Sequence, residues 1–447
     1  MADLTLPIAL RDPSASDPFV ARLPHAPALS DALRKAHGAF ISTDSRFAAA
    51  ARVLASLWRA DHGLPAGVHI TRGADGKTRR VRAGYRLRAD AARAGAAFLE
   101  PATRAFLHRA LVLRELGSAW DVPKIQGHLL SSQGLLINLL APLACDPDLA
   151  TAVFRALLPD TVHAITGITV ESSIGRDDPA LLGDGTAWDA RIDFVSLDGE
   201  PGIIGLECKY VENLQGPAAS PRDRYREVTR ASGLFIDPDV PDLYRPGLEQ
   251  LRREHTLLPL ALARGLAGRA HFILLGPALN PRVAAAAEAY RAHLVDPTGA
   301  QGGVGFSHLT LEAVLAALAA AGATDRARAF HARYLDLDRV AALALGPDAP
   351  GTPSSPPPNG PAAPLLLPAP SPGDVPKAAP VAPYGSRRRA ARPRHRGAGT
   401  PTCAAPARRS GSASAKRLLP RTSPATPASS RPTAAARSAA PASTKGC

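Results

Sequence analysis

Three side chains at the ends of two strand-like segments form the most informative chemical set in the sequence: Asp189, Glu207 and Lys209. The last two end an apolar run that begins at Gly202, with Cys208 between them. Because side chains alternate between the faces of a strand, Glu207 and Lys209 lie on one face and Cys208 on the other. Converging carboxylates suit Mg²⁺ or Mn²⁺, and a neighbouring ammonium can steady a phosphate. The set predicts the chemistry of phosphodiester hydrolysis.

A hairpin is expected to bring the two carboxylates together. The segment from Ala187 to Val195 has a strand pattern, and Asp198-Gly199-Glu200-Pro201 is a turn sequence that precedes the run ending in Glu207. Asp193 shares a strand face with Asp189 and lies closer to the turn, so it stays open as the alternative second-strand acid. Asp189 is preferred because it lies near the strand end, where a pocket can open.

The elements that must position these side chains follow a definite order. A helix starts at Ser131-Ser132-Gln133. The strand-like runs are Ile165 to Glu171, Ala187 to Leu197, Ile203 to Val211 and, after a helix from about Leu248 to Arg264, Phe272 to Leu275. This order predicts an α/β fold, with a mixed sheet flanked by helices. The last strand returns through a helical crossover and is expected to lie parallel to a neighbour.

Composition divides the 447-residue chain into three predicted regions. Residues 1–120 are predicted to form a mostly helical N-terminal extension, and residues 121–346 an α/β domain. Residues 347–447 hold 22 of the 44 prolines, with mostly Ala, Arg, Ser, Gly and Thr between them, which predicts a disordered tail. The tail carries a net charge of +13 out of the chain's +14, so the basic character belongs to the tail and not to the folded part.

One dense basic cluster lies in the predicted folded part. The segment His69 to Arg88 places a glycine-flanked turn at Gly73 to Gly76 and surrounds it with basic side chains. This pattern predicts a hairpin that could lie along a phosphate backbone, with an exposed, merely solvated ribbon as the alternative. The candidate nucleic-acid-binding residues are Arg72, Lys77, Arg79, Arg80 and Arg82.

Other patterns exclude several classes of protein. The four cysteines at 145, 208, 403 and 447 form no Cys-x-x-Cys pair, which argues against a zinc site and a disulfide framework and favours the cytoplasm. The N-terminus has no signal-peptide pattern, and no apolar run is long enough to span a bilayer. Gly202 and Gly205 belong to no phosphate-cradling motif, so no nucleotide cofactor is expected. Glu254 and His255 are interpreted as structural residues of an amphipathic helix.

At this point the sequence resembles the restriction-endonuclease-like superfamily of PD-(D/E)xK nucleases, and in particular an uncharacterised bacterial branch of it. That superfamily has the same element order, with an Asp near the start of the second strand and Glu-x-Lys on the third. The similarity covers roughly Phe47 to Leu337. The segments that carry it are Gly185 to Ala190, Gly205 to Tyr210, Gln250 to His255, Ser131-Ser132-Gln133 and Leu57-Trp58-Arg59.

The resemblance implies a metal-dependent deoxyribonuclease. Asp189, Glu207 and the main-chain carbonyl of Cys208 would hold Mg²⁺, or alternatively Mn²⁺. Lys209 would orient the attacking water or stabilise the developing charge, and Gln250 would hydrogen-bond the water or the phosphate.

Two departures from the superfamily pattern affect these assignments. Trp188 stands where the name-giving proline would be, and that proline shapes the backbone without taking part in the chemistry. The first helix offers Gln133 where many members place an additional acid, so Glu171 is carried as a third candidate ligand.

The sequence leaves three functions open. The first is a DNA endonuclease of restriction or repair type, and the second is a non-catalytic nucleic-acid-binding module of the same fold. The third is an interaction protein that acts through its basic tail. DNA is the expected partner, and no association with a membrane is expected. A monomer and a homodimer both stay open.

Overall fold

The computed structural model describes residue 19 and residues 21–72, 76–300 and 303–346, except for the side chains of residues 71 and 72. The predicted tail, residues 347–447, lies outside the described residues. The strands are β1 (Ala66–Arg72), β2 (Thr78–Leu87), β3 (Val162–Ser172), β4 (Trp188–Ser196), β5 (Pro201–Cys208), β6 (Arg269–Gly276) and β7 (Gly305–Thr310).

Helices flank these strands along the described chain. They are α1 (Asp31–Ala36), α2 (Arg46–Asp61), α3 (Ala89–Arg93), α4 (Pro101–Val112), α5 (Val122–Gly127), α6 (Ser132–Cys145), α7 (Pro147–Leu157), α8 (Asp223–Ala231), α9 (Glu249–Ala263), α10 (Pro281–Arg291), α11 (Leu311–Ala320), α12 (Thr324–Tyr334) and α13 (Leu337–Leu345). Serine caps begin α2 and the predicted helix α6: the Ser45 hydroxyl accepts from the amide of Ala48, and that of Ser131 from the amide of Gly134.

The central sheet is mixed and has the order β3-β4-β5-β6-β7. Strand β4 pairs antiparallel with both β3 and β5, whereas β6 pairs parallel with β5 and β7. The chain passes from β5 to β6 through α8 and α9, because parallel neighbours need a crossover connection. This topology confirms the predicted order of a helix, three strands, a helix and a parallel strand.

The fifth strand of the central sheet, β7, is not among the strands that the sequence predicts. Its sequence Gly-Phe-Ser-His-Leu-Thr has no continuous apolar run, and most of its residues are only half-buried. It lies at the edge of the sheet beside β6. An edge strand needs less apolar sequence than a central one, so a pattern of buried apolar runs does not reveal it.

Two hydrophobic clusters cover the two faces of the central sheet. One combines Ile192 and Ile204 with residues of α2, α6, α7 and α11 to α13. The other packs Ile203 and Phe272 against α8, α9 and α10. Helix α2, from the predicted N-terminal extension, thus shares a core with the sheet, and all described residues belong to one compact unit. The boundary at residue 120 stays a prediction.

No single described helix is long and apolar enough to cross a membrane. Helices α6 and α7 pass that test only as a pair, by length and composition, and the pair is bent by 117°.

Candidate active site

The register of the central sheet places one acid from each of three strands in a row. Val170 of β3 lies opposite Ala190 of β4, which lies opposite Leu206 of β5. One residue further along, the same register sets Glu171, Asp189 and Glu207 side by side. Alternation turns Glu207 toward the face that α9 covers, because Ile203 of the same β5 face belongs to that cluster.

Hydrogen bonds tie Asp189 to the end of β5. The amide of Cys208 donates to Oδ2 of Asp189 across 3.0 Å. The Cys208 side chain itself is fully buried in the opposite cluster, as alternation predicts, and burial raises the pKa of its thiol. The main chain of Cys208 therefore lies between Glu207 and Lys209 and supports the Asp189 carboxylate. A thiol held in this way is no nucleophile.

Lys209 forms a close ion pair with Glu207. Its Nζ lies 2.5 Å from Oε1 of Glu207, and both side chains are largely buried. Burial alone would lower the pKa of the Lys209 ammonium, but the carboxylates of Glu207 and Asp189 outweigh it and raise that pKa above its usual value. Lys209 is therefore a cation at neutral pH, and it is held at the two acids.

Helix α9 adds two more side chains to this group. The amide nitrogen of Gln250 donates to Oε1 of Glu207 at 2.7 Å and to Oε1 of Glu254 at 2.8 Å. Residues four apart share a helix face, so Gln250 and Glu254 approach the sheet together. Oε2 of Glu254 is buried and has no hydrogen-bond partner among the described residues. Gln250 thus lies at the site and bridges two carboxylates, and its hydrogen bond to water or phosphate stays a prediction.

Glu254 is the residue that sequence reasoning missed, because it was interpreted as structural. The neighbouring His255 does fit that interpretation, since it stacks on Phe272 and its Nδ1 contacts the hydroxyl of Tyr290 at 2.9 Å. Burial lowers the pKa of His255 to about 3, so it is neutral in the core. The spacing Gln250-x-x-x-Glu254 was the available signal, because it places both polar side chains on one helix face.

The site carries an excess of buried negative charge. Burial and then the carboxylate of Glu207 raise the pKa of Asp189 well above its usual value. The same two causes raise the pKa of Glu254. One ammonium, Lys209, faces three acids, so a further cation would relieve their mutual repulsion.

These residues fit a divalent ion. Among the described residues, no group of three or more His, Cys, Asp and Glu side chains has a metal-binding arrangement. Mg²⁺, however, is commonly held through one or two carboxylates and keeps several waters. Asp189 and Glu207 supply those two carboxylates, and the unpartnered Oε2 of Glu254 is a further buried oxygen without a hydrogen-bond partner at the site.

The structure separates the two candidate acids of β4. Asp193 lies opposite Ile203, four residues before Glu207, which is about 13 Å along an extended strand. Its carboxylate pairs instead with Arg191 at 2.7 Å and is 34% exposed. The arrangement brings Asp189, and not Asp193, to Glu207 and Lys209.

Glu171 lies in the row of acids, but its carboxylate has other partners. It accepts hydrogen bonds from the amide of Ala119 at 3.2 Å and from the side chain of Gln133 at 3.1 Å. Arg176 forms an ion pair with it at 3.2 Å. Gln133, the polar residue of the first helix, thus reaches the site through Glu171. A role for Glu171 as a metal ligand stays a prediction.

Trp188 occupies the position of the name-giving proline and joins the sheet to α9. Its side chain is fully buried, and its indole nitrogen donates to the carbonyl oxygen of Glu254 at 2.9 Å. The indole lies over Gly205 of β5, where a Cβ atom would be 2.5 Å from Nε1. The strand residue beside Asp189 therefore also fixes the helix turn that carries Glu254.

We expect Gly205→Ala to lower the free energy of unfolding by about 1–3 kcal/mol, since the added methyl group collides with the buried indole of Trp188. Chemical denaturation measures the change. Gly185→Ala is the matched control, because no described heavy atom lies within 4 Å of its Cβ position. Equal stabilities of the two variants would contradict the tight contact between Gly205 and Trp188.

The predicted basic hairpin exists as β1 and β2, paired antiparallel. The side chains of Lys77, Arg79, Arg80 and Arg82 are exposed, whereas that of Arg72 lies outside the described residues. The structure places the four described side chains on the hairpin and not among the acids of the site. Their contact with nucleic acid stays a prediction.

Comparison with known families adds one finding. A model of the PD-(D/E)XK nuclease superfamily matches residues 42–336, about two thirds of the chain. No curated protein and no solved structure matches the chain significantly. The matched range contains the whole central sheet, the basic hairpin and α9. It therefore includes every member of the acidic site, which we define as Asp189, Glu207, Lys209, Gln250 and Glu254.

Proposed function

The chain belongs to the PD-(D/E)XK nuclease superfamily, and on that premise we propose that it is a metal-dependent endonuclease that hydrolyses phosphodiester bonds of DNA, of restriction or repair type. The observation that carries this proposal is the contact between Glu207 and Lys209 at the end of β5, beside Asp189 of β4. Members of the superfamily are generally nucleases. The set of Asp189, Glu207 and Lys209 is intact, which argues against a non-catalytic nucleic-acid-binding module. A cytoplasmic location remains a prediction.

Asp189 and Glu207 are the residues that would hold Mg²⁺ or Mn²⁺. When bound, the ion would supply positive charge against the scissile phosphate and lower the pKa of water at the site. The amide of Cys208 holds the Asp189 carboxylate in place. Gln250 orients the Glu207 carboxylate by donating to it, and the contact with Glu254 fixes the Gln250 amide in turn.

Lys209 supplies the fixed cation of the mechanism. Its ammonium is protonated at neutral pH because Glu207 and Asp189 raise its pKa. Held 2.5 Å from Glu207, it can donate hydrogen bonds to a phosphate oxygen on which negative charge builds. Its ordered position lowers the cost of reorganisation during the reaction.

The test is incubation of the purified full-length protein with supercoiled and linear DNA in the presence of Mg²⁺, Mn²⁺ or EDTA. We expect cleavage with either metal and none with EDTA, because the acids of the site need a divalent ion to approach a phosphate. Electrophoresis of the DNA measures the result. Absence of cleavage with every metal, alongside salt-sensitive DNA binding, would favour the non-catalytic binding module.

A truncated chain ending at Gly346 separates the nuclease from an interaction protein that acts through its tail. The truncation removes a net charge of +13, so we expect weaker, less salt-sensitive binding to DNA. Metal-dependent cleavage should persist, since every residue of the acidic site lies before Gly346. Loss of all function on truncation would instead favour the tail.

A further inference from the structure

The outer part of the basic hairpin is a two-stranded ribbon, residues 67–72 of β1 and 78–83 of β2. Its backbone pairing is regular from Gly67 opposite Ala83 to Arg72 opposite Thr78. Three aliphatic side chains on it are exposed to solvent: Val68 by 38%, Ile70 by 61% and Val81 by 51%. Two-stranded hairpins are marginally stable alone in water, and exposed aliphatic clusters commonly mark interaction sites.

The pairing sorts the ribbon side chains onto two faces. Val68 lies opposite Arg82, and Ile70 lies opposite Arg80. Residues two apart on a strand share a face, so these four form one surface, called the arginine face here. All four side chains are exposed. Val81 and His69 lie opposite each other on the other face. Both faces of the ribbon are therefore accessible to a partner that encloses it.

The base of the ribbon is held firmly. Gly84 packs so closely on α2 that a Cβ atom there would lie 2.0 Å from the hydroxyl of Ser56. The side chain of Arg59 donates to the carbonyl of Gly84 at 2.8 Å. Tyr85 is buried, with the guanidinium of Arg52 4.3 Å above its ring. A ribbon whose base is packed in this way loses less conformational freedom on binding than a free hairpin would, which lowers the entropy cost of binding.

The charge of the ribbon selects a polyanion as partner. Between Ala66 and Ala89 the chain contains Lys77 and six arginines but a single acid, Asp75. The major groove of B-form DNA is about 12 Å wide and admits a two-stranded β-ribbon. The major groove of A-form RNA is too deep and narrow for side chains to read. The observations therefore favour double-stranded DNA over RNA.

We propose that the ribbon enters the major groove of double-stranded DNA with its arginine face toward the base pairs. Arginine donates two hydrogen bonds to the groove edge of guanine, and aliphatic side chains contact the methyl group of thymine. Arg80 and Arg82 supply the first kind of contact, and Ile70 the second. The inference rests on the proposed DNA substrate and adds how that substrate is held.

The ribbon is connected to the candidate active site through a short segment. The amide of Leu129 donates to the carbonyl of Tyr85 at 3.0 Å, at the base of the ribbon. Four residues later, Gln133 contacts Glu171 in the row of acids. Six ribbon residues extend about 20 Å, so the ribbon can contact DNA beyond the bond that is cut.

The test measures protection of guanine N7, which faces the major groove, from methylation by dimethyl sulfate. The full-length protein is bound to an end-labelled double-stranded DNA fragment in EDTA, so that no hydrolysis is needed. We expect the wild type to protect guanines, and Ile70→Ser and Arg80→Ala each to lose protection with affinity lower by about 10-fold. Arg328→Ala is the matched control, because that side chain is 68% exposed on α12 and should leave protection unchanged.

Three results would overturn the proposal: no protection by the wild type, protection that persists in both ribbon variants, or equal competition by single-stranded DNA or double-stranded RNA. Arg80→Ala changes only an exposed side chain, so it remains informative if Ile70→Ser does not fold. Protection of guanines without cleavage in Mg²⁺ would refute the nuclease activity and support DNA binding by the ribbon. Cleavage together with a footprint that is unchanged in the ribbon variants would support the nuclease activity and refute DNA binding by the ribbon.

Discussion

Glu207→Gln should reduce metal-dependent DNA cleavage by about 10³-fold or more, equivalent to about 4 kcal/mol of transition-state stabilisation. Glutamine has nearly the same shape but lacks the charge that pairs with Lys209 at 2.5 Å and that would hold a divalent ion. The rate of cleavage of supercoiled DNA at saturating Mg²⁺ measures the effect.

The fold should survive this substitution. Glu207 is one of three mutually repelling acids, since its charge raises the pKa of both Asp189 and Glu254. Removing that charge relieves repulsion while it weakens the contact with Lys209. The matched control is Glu227→Gln on α8, whose side chain is 60% exposed. Full activity in Glu207→Gln would refute the proposed site.

Metal binding offers a second readout that does not require catalysis. A ligand that binds only the folded state stabilises that state and raises the melting temperature as its concentration exceeds the dissociation constant. We therefore expect Mg²⁺ or Mn²⁺ to raise the melting temperature of the wild type and of Glu227→Gln. The increase should be absent in Glu207→Gln, because one of the two candidate carboxylate ligands is gone.

Asp189→Asn should be as damaging as Glu207→Gln, whereas Asp193→Asn should change cleavage by less than about 3-fold, or about 0.7 kcal/mol. Asp189 is half-buried at the site and accepts a hydrogen bond from the amide of Cys208. Asp193 is opposite Ile203 and pairs with Arg191 away from the other acids. Both substitutions exchange a carboxylate for an amide on the same strand face, so each is the control for the other.

Cleavage assays on the purified variants distinguish the two acids, with circular dichroism to verify folding. If Asp193→Asn were the inactive variant, the sheet register between β4 and β5 would have to differ from the one described here. If neither variant lost activity, the catalytic acids would lie elsewhere.

Because several acidic side chains lie close together, we expect the site to contribute little to the stability of the fold. Desolvation and mutual repulsion raise the pKa of Asp189 and Glu254, so ionising both in the folded protein is costly. Such arrangements are typical of functional sites, where groups are held in positions that stability alone would not favour. The network through Gln250 keeps these carboxylates ordered despite their repulsion.

Trp188 shows how this chain manages without the proline of the superfamily pattern. Instead of a restrained backbone, it has a buried indole that packs on Gly205 and donates to the carbonyl of Glu254. One side chain thus links β4, β5 and α9 next to the row of acids. The glycine at 205 is explained by this packing and not by a phosphate-cradling loop.

The sequence alone determined the strands β1 to β6, the helix α9 and the adjacency of Glu207 and Lys209. Those features depend on local patterns: alternation along a strand, apolar runs and a turn rich in Asp, Gly and Pro. The match to the nuclease superfamily spans these same segments. Local sequence was therefore sufficient for the order of the core elements and for the central pair of the site.

Only the tertiary structure decided which residues join that pair. The choice of Asp189 over Asp193 depends on the pairing register of β4 and β5, and local alternation is the same for both acids. The inclusion of Glu254 depends on the rotation of α9 against the sheet, which the contact with Trp188 sets. The exposure of the ribbon depends on where the other elements pack relative to it. Each of these follows from long-range packing, which no local pattern records.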